Sequence, residues 1–479
     1  MHHRNKVYPK NIESPFKPDE IFFSTTNLKG IILAGNNVFY RTSKYSKEEL
    51  IGAPHNIIRH PDMPRIIFKL LWDYIKSGKP IVAYVKNMAK DGSYYWVLAT
   101  VMPVKDDEGH TKKYLSVRIK PTTEYLDLIS RIYKQLLEEE KKGGMEASYQ
   151  RLLEELKKYG YQDYDQFMAD ILSKELESKK DILKVEDIEG FVDSTDFSKI
   201  VRGIFNLAKK LDNTYSSIYR KINIFNNFSH ILEEKSENIF RLTDYIRLIS
   251  LNSSVESFKL GSKGASFSVL SAEMRKNSEM GNRIINDMKG LTTKIMEKIE
   301  HMVVLINISR LQVIAITKFI RAVLEDLKKG TFNSEEEQEF QINVQDLLQL
   351  LRNYSEEVVQ YSGDIMELLD NIDDYMKRLK ILIKRLEFLY LNGMVESAHH
   401  TETSFSIIFA EVNKLVESTR KVLTDLHTPL FDVIQKNKEL KMKFKEEVDT
   451  VVKKCIIILI RYLRGWQIDR LYHSVCYVP

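Results

Sequence analysis

The chain has 479 residues, 43% of them hydrophobic and 29% charged, which is room for about two to four globular domains. With 72 lysines and arginines against 67 aspartates and glutamates, the net charge is only +5, too even to grip a nucleic-acid backbone. Two cysteines, Cys455 and Cys476, make no disulfide framework. The polar start at residues 1–10 is no secretory signal, and no run of about 18 apolar residues marks a membrane span, so a cytoplasmic protein is expected.

Proline clusters before residue 125 and is nearly absent afterwards, which separates an α/β front from a helical back. Residues 1–19 read as a disordered or extended arm. Residues 21–25 and 31–33, joined by Lys29-Gly30, read as a hairpin. Ser46-Lys47-Glu48-Glu49 is a capping box that opens a short helix stopped by Gly52. Residues 63–77 place Ile67, Leu70, Leu71 and Tyr74 at helical spacing and end at Gly78. Three strand-like runs follow, at 81–88, 94–104 and 113–119, broken at Asp91-Gly92 and Glu108-Gly109. The expected fold for residues 20–122 is α+β: one antiparallel five-stranded sheet with helices on one face, in PAS order.

The local sequence is more specific than this order. Leu28-Lys29-Gly30-Ile31-Ile32, Glu49-Leu50-Ile51-Gly52 and the run His55-Asn56-Ile57-Ile58-Arg59-His60-Pro61-Asp62-Met63-Pro64 resemble the PAS module of bacterial aerotaxis receptors. Val85-Lys86-Asn87 and Tyr95-Trp96-Val97 extend the match. The resemblance implies FAD as cofactor, with Asn36, Arg59, His60 and Asp62 as the binding positions. Such side chains can hold phosphates and polar ring edges. The same Arg59-His60-Pro61-Asp62 run can simply cap the following helix, with Asp62 at its positive end. The family pattern also carries a tryptophan where this chain has Ile81. Flavin, another small ligand or haem, and an empty docking domain all stay open. His55 and His60 are joined by no further ligand cluster, so no metal is expected.

Residues 123–199 read as a helical connector, with helices at 123–141, 147–158 and 163–178 broken at Gly143-Gly144 and Gly160. Its alternating charges at 138–142 read as a solvated face.

Behind it lie two copies of one pattern. Leu251-Asn252-Ser253-Ser254-Val255-Glu256-Ser257, then Gly261-Ser262-Lys263-Gly264, Phe267 and Ala272-Glu273-Met274-Arg275 resemble the hairpin tip of methyl-accepting chemotaxis proteins. Leu391-Asn392-Gly393-Met394-Val395-Glu396-Ser397, Phe405 and Ala410-Glu411-Val412 repeat it. The offset is 140 residues before the turn, as Leu251 and Leu391 show, and 138 after it, as Phe267 and Phe405 show. Heptads agree in the two copies: Phe225, Leu232, Ile239 and Ile246 correspond to Ile365, Ile372, Leu379 and Leu386. Phe228, Leu242 and Ile249 fill the companion positions, matched by Leu368, Leu382 and Leu389. A strict seven-residue repeat supercoils helices left-handedly.

The expected back is mainly α, a long antiparallel coiled-coil four-helix bundle built from two tandem hairpins. Hairpin one spans 200–328 with its tip near 261–264, and hairpin two spans 342–460 with its tip near 397–404. A polar linker at 329–341 joins them, and 461–479 is a tail. The bundle forms either within one chain or between two chains of a homodimer. Pro429 should bend or break the last helix, and residues 455–460, between Lys454 and Arg461, read as a buried helix end.

The resemblance implies a tip that docks a chemotaxis histidine kinase, its coupling protein or other receptors. The matching positions are Asn252, Glu256, Lys259, Phe267, Glu273 and Arg275, with Asn392, Glu396, Phe405 and Glu411 in copy two. The tip departs from the family: Ser262 replaces a glutamate, and copy two reads Ala398-His399-His400-Thr401-Glu402 in place of a glycine-rich turn. His399-His400 reads as exposed turn rather than metal site. Glu233-Glu234 and Glu356-Glu357 lack the small flanking residues of methylation sites. The expectation is a PAS-containing chemoreceptor-like transducer of redox, oxygen or energy taxis type; the alternative is a non-switching scaffold with an empty PAS domain. No phosphate loop, metal cluster or kinase-type histidine box points to an enzyme.

Overall fold

A computed structural model describes residues 7–106, 108–183, 196–330, 334–399 and 405–458. The tail at 461–479, Cys476, the second turn from His400 to Ser404 and the linker residues 331–333 lie outside the described residues.

Five strands form one antiparallel sheet in the order β2-β1-β5-β4-β3: β1 (Ile21–Thr26), β2 (Ile32–Gly35), β3 (Ile81–Met88), β4 (Tyr94–Lys105) and β5 (Thr111–Ile119). The register joins Ile21 to Ile119, Leu98 to Ile119 and Val85 to Val97. Between β2 and β3 run α1 (Asn37–Ser43), α2 (Lys47–Leu50), a 3-10 turn (His55–Ile58) and α3 (Arg65–Lys76). The Ser46 capping box forms as expected. The sequence reading missed α1, a helix of only seven residues, too short for apolar periodicity to register. The arm is extended over residues 7–19. Lys10 and Ser14 donate backbone hydrogen bonds to Gly92 and Tyr94, and Phe16 packs edge-on against Phe22 at 4.7 Å.

The remainder is helical. α4 (Tyr125–Lys158) is two helices joined by a kink at Gly144, whose φ is 74°. α5 (Tyr164–Ser178) is capped by Asp163, which accepts from the Gln166 amide. Four long helices follow: α6 (Asp196–Lys259), α7 (Ala265–Lys329), α8 (Ser334–His399) and α9 (Phe405–Lys443). A 3-10 turn (Gly261–Gly264) joins α6 to α7, and a π-helical stretch (Phe444–Val448) follows α9. Pro429, expected to bend or break the last helix, lies inside α9 and does not break it.

Two compact units divide the chain. The first holds Met1–Tyr219, Glu300–Val358 and the part from Phe444 onward; the second holds Arg220–Ile299 and Val359–Lys443. Helices α6, α7 and α8 therefore contribute to both, α9 belongs to the second alone, and the first unit is larger than the PAS region read from sequence.

In the first unit both sheet faces are covered. Tyr164 donates to the Val82 carbonyl, Tyr133 to the Tyr84 carbonyl and Gln312 to the Met102 sulfur. Phe23 meets Phe319 edge-on at 5.0 Å, and Lys113 pairs with Asp346. This covering explains α7, which contains a stretch long and apolar enough to cross a membrane, with 78% of it buried inside the protein. Met302, Leu305, Ile306, Ile308, Leu311, Val313, Ile314 and Ile316 are all buried. A helix that is apolar all round is a core helix in a setting like this. The sequence reading found no apolar run of spanning length and passed over this one, which Arg310 and Lys318 interrupt.

In the second unit contacts link all four long helices: Lys289 to Glu237, Tyr245 to Glu411, Lys298 to Asp364 and Arg420 to Glu387. Phe267 and Phe405, equivalent in the two copies, stack at 3.8 Å with planes 5° apart. The two hairpins thus pack on each other within one chain.

Candidate functional site

A cavity of about 270 Å³ lies between the inner sheet face, the His55–Ile58 turn and α3. Strand alternation explains its lining. Ser24 and Thr26 on β1, Val85 and Asn87 on β3, Ala99 and Val101 on β4, and Tyr114, Ser116 and Arg118 on β5 all point inward. The residues between them, including Phe23, Tyr84, Met102 and Lys113, face the helices behind. Helix α3 closes the cavity with Phe68, Leu71, Trp72 and Ile75. Apolar and aromatic walls with a few convergent polar groups are the usual make-up of a small-molecule site.

The four positions implied by the family resemblance do not come together here. Arg59 lines the cavity, 4.3 Å over the Phe68 ring, and donates to the Met63 carbonyl. Burial lowers its pKa. Asn36 is spent inside the fold. Its side-chain oxygen accepts from Phe39 and Phe23 amides, and its amide donates to the Ile21 carbonyl. His60 is buried, and its Nδ1 accepts from the Asp62 amide. Asp62 is largely exposed and pairs with Lys86 at 2.6 Å. Burial pushes its carboxyl up, but Lys86 outweighs burial and holds the pKa below the ordinary value. Asn36, His60 and Asp62 do not line this cavity: the first caps α1, and the other two order the chain entering α3. Ile81 is buried and does not line the cavity.

The sequence reading missed the cavity's most charged wall. Arg118 is 5% exposed. Its Nη2 donates to Ser24 Oγ at 2.9 Å and lies 2.7 Å from His55 Nε2. The guanidinium lies over the Phe39 ring at 5.6 Å. Burial brings its pKa down to about 10, so it stays charged at neutral pH. Burial and then the Arg118 charge push His55 down to about 3, so His55 is neutral and can accept. Arg118 Nη1 and Ser116 Oγ have no hydrogen-bond partner. The signal was present in the alternation Tyr114, Ser116, Arg118, which resembles the solvent face of a half-buried strand.

In the hairpin tips, Asn252, Glu273 and Arg275 are exposed, and Glu256 pairs with Lys259. Asn392 donates to the Phe388 carbonyl, Glu396 is half-buried, and Glu411 accepts from Tyr245. Phe267 and Phe405 are core residues at 0% and 1% exposure, which corrects their assignment as partner contacts. The surface instead shows Val255, Phe258 and Val269 from copy one, and Leu391, Val395 and Ile407 from copy two. Among the described residues, no group of three or more His, Cys, Asp or Glu side chains could hold a metal.

Comparison with known proteins agrees with the sheet. The sequence profile of the PAS fold matches residues 32–118. The chain is 38% identical to the aerotaxis receptor of Escherichia coli (strain K12) over 129 residues, 27% of this chain and 25% of that protein. It is 25% identical to the nitrogen fixation regulatory protein of Klebsiella pneumoniae over 157 residues, 33% of this chain and 32% of that one. A solved light-oxygen-voltage domain studied with a flavin analogue is 19% identical, with 23% of this chain and 84% of that chain covered and a TM-score of 0.22. The matches thus span about a quarter to a third of the curated relatives' length. The N-terminal sheet and its helices form a PAS domain, joined to a body of long helices.

Proposed function

We propose that this protein is a cytoplasmic, non-enzymatic signal transducer of redox, oxygen or energy taxis type, in which the ligand state of the PAS cavity is relayed through helices to a chemotaxis-type partner. One observation carries the reading: the strands that wall the cavity are the strands that seat on α4, α5 and α7. Arg118 and Ser116 face the cavity, while Phe23 and Met102 of the same sheet touch α7. A change on one face therefore strains the packing on the other, as a two-state element requires.

FAD is the ligand the lining suits best. Trp72, Phe68, Val85, Ala99 and Val101 supply apolar walls for a ring system, and Asn87, Ser116 and Arg118 supply polar groups for its edge. Arg59 and the exposed Lys29 supply cations toward the rim for phosphates. A bound flavin would supply electron exchange and a change of ring charge; the protein's part is to hold the ring and answer that change. The output partner is a chemotaxis histidine kinase, its coupling protein or another receptor. It would meet the exposed apolar residues Leu248, Val255 and Phe258 of copy one, or Phe388, Leu391 and Val395 of copy two.

A second reading, a scaffold with an empty PAS domain, draws on the finding that only Arg59 of the four family positions lines the cavity. The visible absorbance of purified, oxygen-exposed protein decides between them. Two flavin bands, lost in Trp72→Ala protein, support the sensor. A protein that is colourless as purified and stays so after incubation with FAD moves the weight to the scaffold.

A further inference from the structure

The inner end of the PAS cavity holds an uncompensated charge. Among the described residues, the Arg118 guanidinium hydrogen-bonds to Ser24 and His55, has the neutral Tyr95 phenol and the Phe39 ring close by, and forms no ion pair. Removing an ion from water is costly unless a partner charge repays it. Arg118 Nη1 and Ser116 Oγ, two buried polar atoms of the cavity wall, are unpartnered. Folds satisfy nearly all such atoms, and an exception needs a physical account. An ordered water could satisfy a hydroxyl, but it would leave the charge unopposed.

We infer that Arg118 is the ligand-recognising residue of the cavity, and that with Ser116 it takes the buried edge of a ligand carrying an anionic or strongly accepting pair of oxygens. The inference rests on the cavity being a ligand site and deepens that reading, because it fixes which edge points inward. Lys29 and Asn56 of the cavity lining are exposed, whereas Arg118, Ser116 and Asn87 are buried. The ligand therefore enters acceptor edge first, with its apolar middle against Trp72 and any phosphate tail toward the rim. The same charge disfavours cations and gives no polar hold on rings without an acceptor edge. The unpaired guanidinium also makes the ligand-free domain less stable than its packing alone would allow.

The test uses the full chain stripped of ligand, as wild type, Arg118→Met and Arg118→Lys, with FAD as the probe. Melting temperature is read without FAD, and affinity by titration. A ligand-recognising Arg118 gives an Arg118→Met protein that melts at or above wild type and binds FAD roughly ten- to a hundredfold more weakly, with Arg118→Lys between. Lower melting with unchanged affinity would make Arg118 a structural residue and overturn the inference while the cavity reading stands. If wild type binds no FAD, the flavin reading fails. Melting then decides alone: a rise in Arg118→Met keeps Arg118 as a ligand residue for another anion, and a fall ends the inference.

Discussion

His55 and Arg118 share a hydrogen bond but cannot share a charge. Burial, and then Arg118, push His55 down to about 3, and burial with Lys86 pushes His60 to about 4, against an ordinary value near 6.5. The unfolded chain therefore takes up protons that the folded one refuses between about pH 6.5 and 4. Stability from these rings is fully present above that window and falls as the pH falls through it, by up to about 1.4 kcal/mol per pH unit for each ring. Urea midpoints measured across the window should drop on acidification, and His55→Gln should flatten part of the slope; a wild-type profile that stays level refutes the assignment. At this scale the sequence was legible where a motif spelled it out, as at Arg59, which lines the cavity. It was illegible at Arg118 and Ser116, because β5 alternates as a half-exposed strand does and only the fold shows that both of its faces are covered.

The two hairpins show how one pattern tolerates different chemistry. Heptad positions such as Ile239 and Leu379 were readable and are buried. A further seam, one residue past the companion positions, was not: in copy one it runs through Ser236, Thr243, Ser250 and Ser257, all buried, and small polar residues leave no hydrophobic period to detect. Thr243, Ser250 and Ser257 donate to backbone carbonyls of their own helix, whereas Ser236 Oγ has no partner; in the layer near the tip Ser271 meets Ser253 at 2.5 Å. At the equivalent layer of copy two stand Phe409 and Gly393, and a Cβ on Gly393 would lie 2.3 Å from the Phe409 ring. A large ring thus replaces one serine, and the loss of a side chain replaces the other. Gly393→Ser should destabilise by about 1–3 kcal/mol through overpacking. Adding Phe409→Ser, which rebuilds the layer of copy one, should cost less than the sum of the two single changes. Strict additivity in thermal melts would show that the layer is not coupled.

Across the molecule, composition separated front from back but not the compact units. The cut at about residue 200 falls inside the first unit, which the α7 core segment and the connector complete. Glu175 on α5 is the junction there. It accepts from the Thr122 and Thr123 amides, from the Thr123 hydroxyl and from Tyr84, and it pairs with Lys179 at 2.5 Å in full burial. Removing one partner of a buried pair costs about 3–5 kcal/mol, so Glu175→Ala should be strongly destabilised. Glu175→Gln, which keeps the shape, tests the relay. Hydrogen exchange in α5 and in residues 302–320 should respond to FAD in wild type and stop responding in the variant, while exchange around the cavity still responds. An undiminished response would route the signal elsewhere. The stack of Phe267 on Phe405 has a further consequence. Because its two halves belong to one polypeptide, the bundle cannot come apart on dilution: each hairpin meets its counterpart at the effective concentration of a tether, on the order of millimolar. Assembly then follows from folding and not from how much protein a cell makes, and a change in one tip leaves the other as it was.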